Sequence, residues 1–286
     1  MLQCRQLDGS DGRREQETEG ATMGQLDGQT GLVFGVANKR SIAWGIAQAM
    51  HREGMRLAFT YQGERLEAGV RELAASLDPA CPVVPCDVTS DDDIAAVFAA
   101  VGAAFGGGLD ALVHSVAFAP RESFAGQFLD TARADFAAAL DISAYSLVAL
   151  ARAAAPLMDA RGGGSILTMT YLGGERVVPK YNLMGVAKAA LDSAVTYLAY
   201  DLGPRNIRVN AISAGPVRTL AGRSIPGFPR MEEYVRNNSP LGRNVDIEDI
   251  GHLAAFLAGP GGQNISGEVI HLDAGYHVMG MGGPLE

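Results

Sequence analysis

The sequence predicts an α/β fold: a single domain with a doubly wound parallel sheet that helices cover on both faces. Short, mostly apolar runs alternate with longer amphipathic stretches from residue 30 onward. Several of the amphipathic stretches end at glycine, as helices prefer. Strands separated by helices of this length imply right-handed crossovers, which make neighbouring strands parallel and bury both faces of the sheet.

Seven apolar runs are predicted as strands. They are TGLVFGV (30–36), RLAFTY (56–61), CPVVPC (81–86), DALVHSV (110–116), SILTMTY (165–171), IRVNAIS (207–213) and EVIHLD (268–273). The predicted helices between them include SIAWGIAQAMHREG (41–54), DIAAVFAAVGAAFG (93–106), DFAAALDISAYSLVALARAAAPLM (135–158) and AKAALDSAVTYLAYDLG (187–203). A seven-stranded sheet of this kind is Rossmann-like, and its ligands bind beyond the carboxyl ends of the strands.

Composition excludes several classes of partner. The net charge is −9, whereas nucleic acids and anionic membranes require a basic face, so we expect neither as a partner. No run of about 18 uninterrupted apolar residues indicates a membrane span. The three cysteines form no C-x-x-C pair and the five histidines no H-E-x-x-H motif. We therefore expect no disulfide framework and no metal site, which is typical of the reducing cytoplasm.

The first 26 residues differ from the rest of the chain. They are polar, mixed in charge and poor in aromatic and β-branched residues, and they lack the apolar core of a secretory signal. We predict a disordered tail over residues 1–26 and one folded domain over residues 27–286.

The turn after the first strand, GVANKRSIAWGIA (35–47), has the features of a dinucleotide site. Gly35 can form the tight turn, and Ser41 can cap the next helix while offering a hydroxyl to phosphate. Gly45 lets that helix pack close to the strand. The usual G-x-G-x-x-G fingerprint is absent.

Three further strand ends add candidates for cofactor contacts. In CDV, Asp87 can accept a hydrogen bond from adenine and Val88 can pack on the ring, although an aspartate there can equally be an ordinary turn residue. HSVAFAP (114–120) is small and apolar, and could leave room for a nicotinamide ring or simply form a buried loop. TYQGERLE (60–67) has neither an acid for a ribose hydroxyl nor a dense basic pair for a 2′-phosphate, so NADH and NADPH both stay possible.

The stretch YLGGERVVPKYNLMGVAK (171–188) holds two tyrosines and a lysine. Tyr181 and Lys188 are seven residues apart, two helical turns, and therefore project from one face. A nearby ammonium is expected to lower the pKa of a phenol, and a lysine can hold ribose hydroxyls. Tyr171 belongs to the end of the fifth strand. A surface tyrosine and lysine on an amphipathic helix is the plainer alternative.

These segments resemble the short-chain dehydrogenase/reductase superfamily and, within it, the enoyl-acyl carrier protein reductases of bacterial type II fatty acid synthesis. The resemblance covers about residues 24–282 and includes DISAYS, NAISAGPVRTLA and ISGEVIHLDAGY. Ordinary superfamily members have Tyr-x3-Lys and a serine after strand five. This chain has Tyr-x6-Lys and Tyr171 at the place of the serine, as the enoyl reductase branch does.

The resemblance implies roles for particular residues. The catalytic residues would be Tyr171, Tyr181 and Lys188. The cofactor, NADH or NADPH, would contact Gly35, Ser41, Ile42, Gln62, Asp87, Val88, Val116, Lys188, Val217, Arg218, Thr219, Leu220 and Ala221. Substrate would contact Ala119, Met184, Ile225 and Phe228. Ala117 stands where many family members have glycine, and its methyl group would narrow the pocket.

The implied reaction is reduction of the carbon–carbon double bond of an enoyl thioester on acyl carrier protein. The Gly- and Pro-rich segment at about residues 215–238 is predicted as a substrate lid, with Arg218, Arg223 and Arg230 as a possible receptor for the acidic carrier. The resemblance also implies a cytoplasmic homotetramer. Two alternatives are a carbonyl or alcohol dehydrogenase of the same superfamily and a non-catalytic nucleotide-binding regulator.

Overall fold

The computed structural model describes residues 24–225 and 227–282, without the side chains of Ala221 and Ser224. Its seven strands are β1 (Thr30–Phe34), β2 (Arg56–Tyr61), β3 (Val83–Pro85), β4 (Ala111–His114), β5 (Gly164–Thr170), β6 (Ile207–Ala214) and β7 (Val269–Leu272). They form one parallel sheet in the order β3-β2-β1-β4-β5-β6-β7. The predicted Rossmann-like fold is confirmed.

Helices follow the strands as predicted. They are α1 (Ile42–Arg52), α2 (Glu64–Leu77), α3 (Asp91–Ala104), α4 (Arg133–Leu140), α5 (Ser146–Asp159), α6 (Asn182–Leu202), α7 (Leu220–Ser224), α8 (Phe228–Asn238) and α9 (Ile247–Ala258). A π-helical turn, Asp141–Tyr145, joins α4 to α5. The sequence predicted one continuous helix there.

The central strand β1 shows how the sheet is buried on both faces. All five of its residues are buried, and the side chains of its last three alternate between two apolar clusters. Val33 packs with residues of α1, α2 and α9, while Leu32 and Phe34 pack with residues of α3, α5 and α6. Side chains alternate across a strand, so a continuous apolar run supplies both cores at once.

The close approach of α1 to α9 corrects the expected role of Gly45. A Cβ at Gly45 would overlap the backbone carbonyl of Ile247, and a Cβ at Gly251 would lie 2.5 Å from the carbonyl oxygen of Gly45. Glycine is therefore needed for helix-to-helix contact, not for contact between α1 and its strand.

Residues 1–23 of the predicted tail lie outside the described residues. Residues 24–26 belong to the folded domain instead: the Leu26 side chain is fully buried, and its amide donates to the carbonyl of Glu53 at 2.9 Å. The predicted boundary at residue 26 is thus a few residues too late, because an isolated leucine in a polar stretch carries no periodic signal.

One helical segment in the described chain, Arg133–Asp159, is long and apolar enough to cross a membrane by length and composition. Its apolar side chains have a place in the fold, since Leu147, Leu150 and Met158 are fully buried between α5 and the sheet. The core of the domain accounts for their hydrophobicity.

The strand order reverses between β1 and β4, and the loops that follow these two strands lie side by side. A crevice forms at such a switch point in doubly wound sheets. The loops after β5 and β6 continue the same edge, so residues from four strand ends can face one ligand.

Candidate active site

A cavity of about 590 Å³ opens at the carboxyl edge of the sheet. The segments after β1, β4, β5 and β6 line it, together with residues of α6, α7 and α8. The predicted site residues that line it are Gly35, Ser41, Ile42, Val116, Ala119, Tyr171, Tyr181, Met184, Lys188, Val217, Thr219, Leu220, Ile225 and Phe228. Ala117 lines it as well.

The turn after β1 has the backbone conformation that a close ligand contact needs. Gly35 has φ +97°, a value that side chains disfavour, and a Cβ there would overlap the carbonyl of Ser115. The Ser41 hydroxyl accepts hydrogen bonds from the amides of Ala37 and Asn38 at 3.0 and 3.1 Å. Ser41 therefore organises the turn before α1 and makes no side-chain cap to the helix, contrary to the expectation.

The predicted adenosine contacts lie outside the cavity, at the ends of β2 and β3. The Asp87 carboxylate accepts hydrogen bonds from the Thr89 amide and hydroxyl at 2.9 and 2.8 Å. These bonds, and a weaker one from Gln62, hold the pKa of Asp87 below its usual value. Val88 is half-buried beside it. Asp87 Oδ1 therefore stabilises the turn at Thr89 in this structure.

Tyr181 occupies the N-cap position of α6 and is 8% exposed. Its neighbours Lys180 and Asn182 both have positive φ, +68° and +38°. This conformation costs residues other than glycine about 1–2 kcal/mol, and such strain is typical of functional sites. Tyr181 lines the cavity at this point of the chain.

Lys188 lies two turns further along α6, is 5% exposed and also lines the cavity. Its ammonium donates one hydrogen bond, at 2.7 Å, to the Met169 carbonyl on β5. Burial lowers the pKa of Lys188 to about 8, although Asp192 opposes the shift. An ammonium group has three donors, so Lys188 keeps hydrogen-bonding capacity for a ligand.

The two tyrosines contact each other. Their rings meet edge to face, with centroids 5.0 Å apart. The Tyr171 hydroxyl also contacts the Met231 sulfur of α8 at 3.5 Å. A turn at Leu172–Gly174 connects β5 to this arrangement, and a Cβ at Gly173 would overlap the Tyr181 ring. Both hydroxyls thus belong to one packed unit at the cavity wall.

The pKa of Tyr181 corrects the prediction made from its lysine partner. Burial raises the pKa of Tyr181 far above its ordinary value, and Tyr171 and Asp192 add to the shift. Burial likewise raises the pKa of Tyr171. The effect of desolvation on the phenol pKa outweighs that of the lysine charge, because Lys188 donates to a backbone carbonyl and makes no hydrogen bond to either described phenol. Both tyrosines are therefore neutral hydrogen-bond donors.

An apolar cluster forms the far wall of the cavity. Phe124, Tyr181 and Met184 are its buried members, and Ala119, Tyr171, Val178 and Ile225 pack against them. Phe228 is 4% exposed and lines the cavity from the start of α8. The sequence pointed to Ala119, Met184, Ile225 and Phe228 but missed Phe124 and Val178. Phe124 ends a 3₁₀ turn and Val178 lies in a loop, and both segments are too short for a periodic pattern.

The segment after β6 includes α7 and α8. Thr219 caps α7, its hydroxyl accepting from the Gly222 amide at 2.9 Å. Arg218, predicted as a cofactor contact, does not line the cavity; it pairs with Glu232 of α8 through hydrogen bonds of 2.6 and 2.8 Å. The Ala221 side chain lies outside what the structure describes.

These features suit a dinucleotide. Glycine at position 35 is required by the turn itself, and the buried Lys188 ammonium has donors to spare at the switch point. Several further residues line the cavity without having been predicted, among them Met169 and Thr170 of β5 and Met231 of α8. Met169 and Thr170 directly precede Tyr171, so their position at the end of β5 could have pointed to them.

The comparisons with known proteins agree with this site. The family model for enoyl-(acyl carrier protein) reductase matches residues 35–277. An enoyl-[acyl-carrier-protein] reductase [NADH] of Aquifex aeolicus is 51% identical over 261 residues, covering 91% of this chain and 96% of the relative. The chain belongs to the enoyl-acyl carrier protein reductase family.

Solved structures of enoyl-acyl carrier protein reductases share the fold. The Bacillus cereus enzyme, solved with NADP+ and indole naphthyridinone, has a TM-score of 0.88 and 49% identity, covering 91% of this chain and all of its own. The Anaplasma phagocytophilum enzyme, solved with NAD, has a TM-score of 0.87 and 44% identity, covering 92% of this chain and 99% of its own. These matches favour the enoyl-acyl carrier protein reductase prediction over the dehydrogenase and regulator alternatives.

Proposed function

We propose that the chain reduces the carbon–carbon double bond of trans-2-enoyl thioesters carried on acyl carrier protein, with NADH as the reductant. One observation carries this proposal. The buried Tyr181 hydroxyl, the partly buried Tyr171 hydroxyl and the buried Lys188 ammonium face one cavity at the carboxyl edge of the sheet, and Tyr171 stands where carbonyl reductases have serine.

The cofactor would lie along the carboxyl edge of the sheet. Asp87, with Gln62 and Val88, would hold the adenosine end, and the turn at Gly35 to Ile42 the pyrophosphate. Val116 would lie beside the nicotinamide, and Lys188 would hold its ribose. Val217 to Ala221 would close over the bound molecule, with Arg218 fixing the lid through Glu232. Bound NADH would supply the hydride.

Tyr181 would stabilise the negative charge that develops on the thioester oxygen as hydride reaches the β-carbon. Its hydroxyl is buried and neutral, so it can donate a hydrogen bond without a costly reorganisation of its surroundings. The α-carbon then takes a proton. Tyr171, in edge-to-face contact with Tyr181, would position the thioester. Ala119, Met184, Ile225 and Phe228 would surround the acyl chain.

The test is oxidation of NADH in the presence of crotonyl and longer enoyl thioesters, followed by loss of reduced-nicotinamide absorbance. We expect turnover with enoyl thioesters and a higher kcat/KM with NADH than with NADPH. A 3-ketoacyl thioester is the matched control, because the dehydrogenase alternative would reduce its carbonyl group. Turnover of the ketone alone would refute the proposal.

The carrier protein would dock on exposed arginines of the lid. Arg223 and Arg230 are exposed, whereas the charge of Arg218 is paired with Glu232. We expect Arg223→Glu and Arg230→Glu to raise KM for carrier-linked substrate and to spare a small thioester. Arg133→Glu, an exposed arginine at the start of α4, is the control. Equal losses with both substrates would contradict the docking proposal.

A cytoplasmic homotetramer is the assembly we propose. Large apolar side chains on two helices support association, since Tyr197 and Tyr200 of α6 are 72% and 81% exposed and Phe256 of α9 is 45% exposed. Light scattering coupled to size-exclusion chromatography should give four times the chain mass of 29.9 kDa. A monomer at working concentration would rule out the tetramer.

A further inference from the structure

The loop that follows β4 forms one wall of the cavity. We call residues 115–119 the β4 loop, and all five of them line the cavity. No residue of the β4 loop belongs to a helix or a strand. Regular secondary structure therefore does not fix this wall, and its position depends on hydrogen bonds and contacts with other segments.

Ser143 holds the backbone of the β4 loop at Phe118. Its hydroxyl accepts a hydrogen bond from the Phe118 amide at 2.9 Å and donates one to the Phe118 carbonyl at 3.0 Å. Among the described residues, this amide and this carbonyl have no other hydrogen-bond partner. Ser143 is fully buried, whereas Phe118 is 48% exposed. The two hydrogen bonds, and not burial of the phenylalanine ring, therefore attach this residue to the fold.

Ser143 lies in the π-helical turn, Asp141–Tyr145, between α4 and α5. In this turn the Ser146 amide bonds to the carbonyl of Asp141, five residues back, where an α-helix would use Ile142. π-helical turns are rare, and many of them occur at functional sites. The DISAYS segment forms this turn, and none of its residues lines the cavity. Any effect of the turn on the reaction must therefore pass through a neighbouring segment.

A buried hydrogen-bond network ties the π-helical turn to β4. The Ser146 hydroxyl donates to the Ile142 carbonyl at 2.6 Å, the carbonyl that the Ser146 amide bypasses. Having given its only proton, this hydroxyl accepts from Nε2–H of His114 at 2.8 Å, and Nδ1 of His114 accepts from the Thr168 hydroxyl at 2.7 Å. His114, Ser146 and Thr168 are fully buried. A buried network whose members are all paired specifies one arrangement of the segments that it joins.

The π-helical turn is thus attached to β4 and to the β4 loop at two points. His114 is the last residue of β4, and Phe118 lies four residues further along the chain. The β4 loop also packs against the turn after β1, because a Cβ at Gly35 would overlap the carbonyl of Ser115. The residues between these contacts, Val116 and Ala117, therefore have little freedom to move relative to the sheet.

We propose that Ser143 is a positioning residue of the reaction: through Phe118, it holds the β4 loop where the nicotinamide and the enoyl group must meet. This inference rests on the proposed function, in which Val116 lies beside the nicotinamide and Ala119 contacts the substrate. Val116 and Ala119 are both within two positions of Phe118. A displacement of about 1 Å can lower a rate by about a hundredfold, so losing the two hydrogen bonds should slow the chemical step.

The test compares wild-type enzyme with Ser143→Ala and with the matched control Ser165→Ala. Ser165 is also buried, and its hydroxyl donates to the Leu257 carbonyl at 3.3 Å near the amino edge of the sheet. Each variant therefore loses one buried serine hydroxyl. We expect Ser143→Ala to lower kcat by about tenfold or more and to change NADH affinity by less than about threefold, since the adenosine and pyrophosphate contacts lie elsewhere. Ser165→Ala should keep the wild-type kcat.

A single-turnover measurement separates misplacement from a loss of folded enzyme. The enzyme is mixed with an equal amount of NADH and then, in a stopped-flow instrument, with excess enoyl thioester. The first-order rate constant of NADH oxidation reports the chemistry of the bound complex, and the amplitude reports the amount of competent enzyme. We expect Ser143→Ala to lower the rate constant by about tenfold or more with a nearly unchanged amplitude. A reduced amplitude with the wild-type rate constant would show a merely structural role and overturn the proposal.

Ser143→Cys keeps the proposal testable if Ser143→Ala does not fold. The thiol fills the space of the hydroxyl but is a weak donor and a weak acceptor, so the bonds to Phe118 weaken while the packing stays. Its single-turnover rate constant should fall below that of the wild type, and amide hydrogen exchange in peptides covering residues 115–119 should be faster. A wild-type rate constant in this variant would overturn the proposal. Absence of wild-type turnover with enoyl thioesters would instead count against the proposed function.

Discussion

Tyr181 and Lys188 line the same cavity, and burial moves their pKa values in opposite directions. The pKa of Tyr181 rises and that of Lys188 falls to about 8, because desolvation disfavours the charged form of each. Tyr181 is thus a neutral donor over the whole working range of pH, while Lys188 changes charge within it. The two groups therefore affect activity in ways that separate experiments can distinguish.

The Tyr181 hydroxyl is the donor that the proposed mechanism needs most. We expect Tyr181→Phe to lower kcat by roughly 10²- to 10³-fold, the usual effect of losing one oxyanion-stabilising donor. Affinity for NADH should change little, since the hydroxyl makes its contribution on the substrate side. Tyr197→Phe, an exposed tyrosine on α6, is the control. A kcat within twofold of wild type would remove Tyr181 from the mechanism.

Lys188 should give NADH binding a pH dependence. Its ammonium is lost as pH rises through about 8, so the dissociation constant for NADH is expected to increase above that pH. Fluorescence titration of NADH at a series of pH values measures this change. Lys188→Met should bind NADH more weakly and with no inflection near that pH. An inflection that survives in the variant would assign the titration to another group.

The turn at Leu172–Gly174 and the start of α6 act as one element that holds both tyrosines. Because a Cβ at Gly173 would overlap the Tyr181 ring, Gly173→Ala should displace the phenol and lower kcat by tenfold or more, on the order of the loss from small misplacements. Gly69→Ala in α2, where a Cβ meets nothing within 4 Å, is the control. Kinetics and thermal unfolding should be measured together; full activity in a folded Gly173→Ala enzyme would contradict this prediction.

Local sequence predicts some of the secondary-structure elements and misses others. The seven strands and the Tyr-x6-Lys spacing could be predicted because apolar periodicity and residue spacing are local properties. The π-helical turn between α4 and α5 could not be predicted from local sequence. There the Ser143 hydroxyl bonds both the amide and the carbonyl of Phe118, 25 residues away, at 2.9 and 3.0 Å. A contact at that separation leaves no mark in the helical pattern.

The active site likewise has features that the sequence predicts and features that it does not. Most cavity-lining residues follow from their positions at strand ends, once the sheet order is known. The neutral state of Tyr181, the ion pair of Arg218 and the shielded Oδ1 oxygen of Asp192 do not follow, because each depends on which segments pack together. Burial and pairing are properties of the tertiary structure, and they determine the protonation of the groups that act.

At the scale of the whole molecule, a buried histidine ties β4 to its neighbours. His114 is fully buried, its ring nitrogens lying 2.7 Å from the Thr168 hydroxyl of β5 and 2.8 Å from the Ser146 hydroxyl of α5. Burial, with the nearby Lys188 charge, lowers the pKa of His114 to about 3. The folded protein therefore holds this histidine neutral, whereas the unfolded chain takes up a proton near its ordinary pKa.

This difference predicts a loss of stability in acid. The folded pKa lies below the unfolded one, so the unfolded state binds more protons between them and stability falls as pH drops below about 6.5. Between about pH 7 and pH 5 this group should contribute roughly 2 kcal/mol of the decrease in the free energy of unfolding. In urea titrations at a series of pH values, His114→Gln should show a smaller decrease in the free energy of unfolding with falling pH. His252→Gln, at an exposed histidine, should show the same decrease as the wild type. Parallel curves for wild type and His114→Gln would refute it.

The central claim is that hydride reaches the β-carbon of an enoyl thioester, and its most direct test follows the hydride itself. The enzyme is supplied with NADH carrying deuterium at C4 and with an enoyl thioester, and the product is examined by NMR. We predict deuterium on the β-carbon, a solvent-derived hydrogen on the α-carbon and an intact thioester carbonyl. Deuterium on a carbinol carbon, or no transfer at all, would contradict the account.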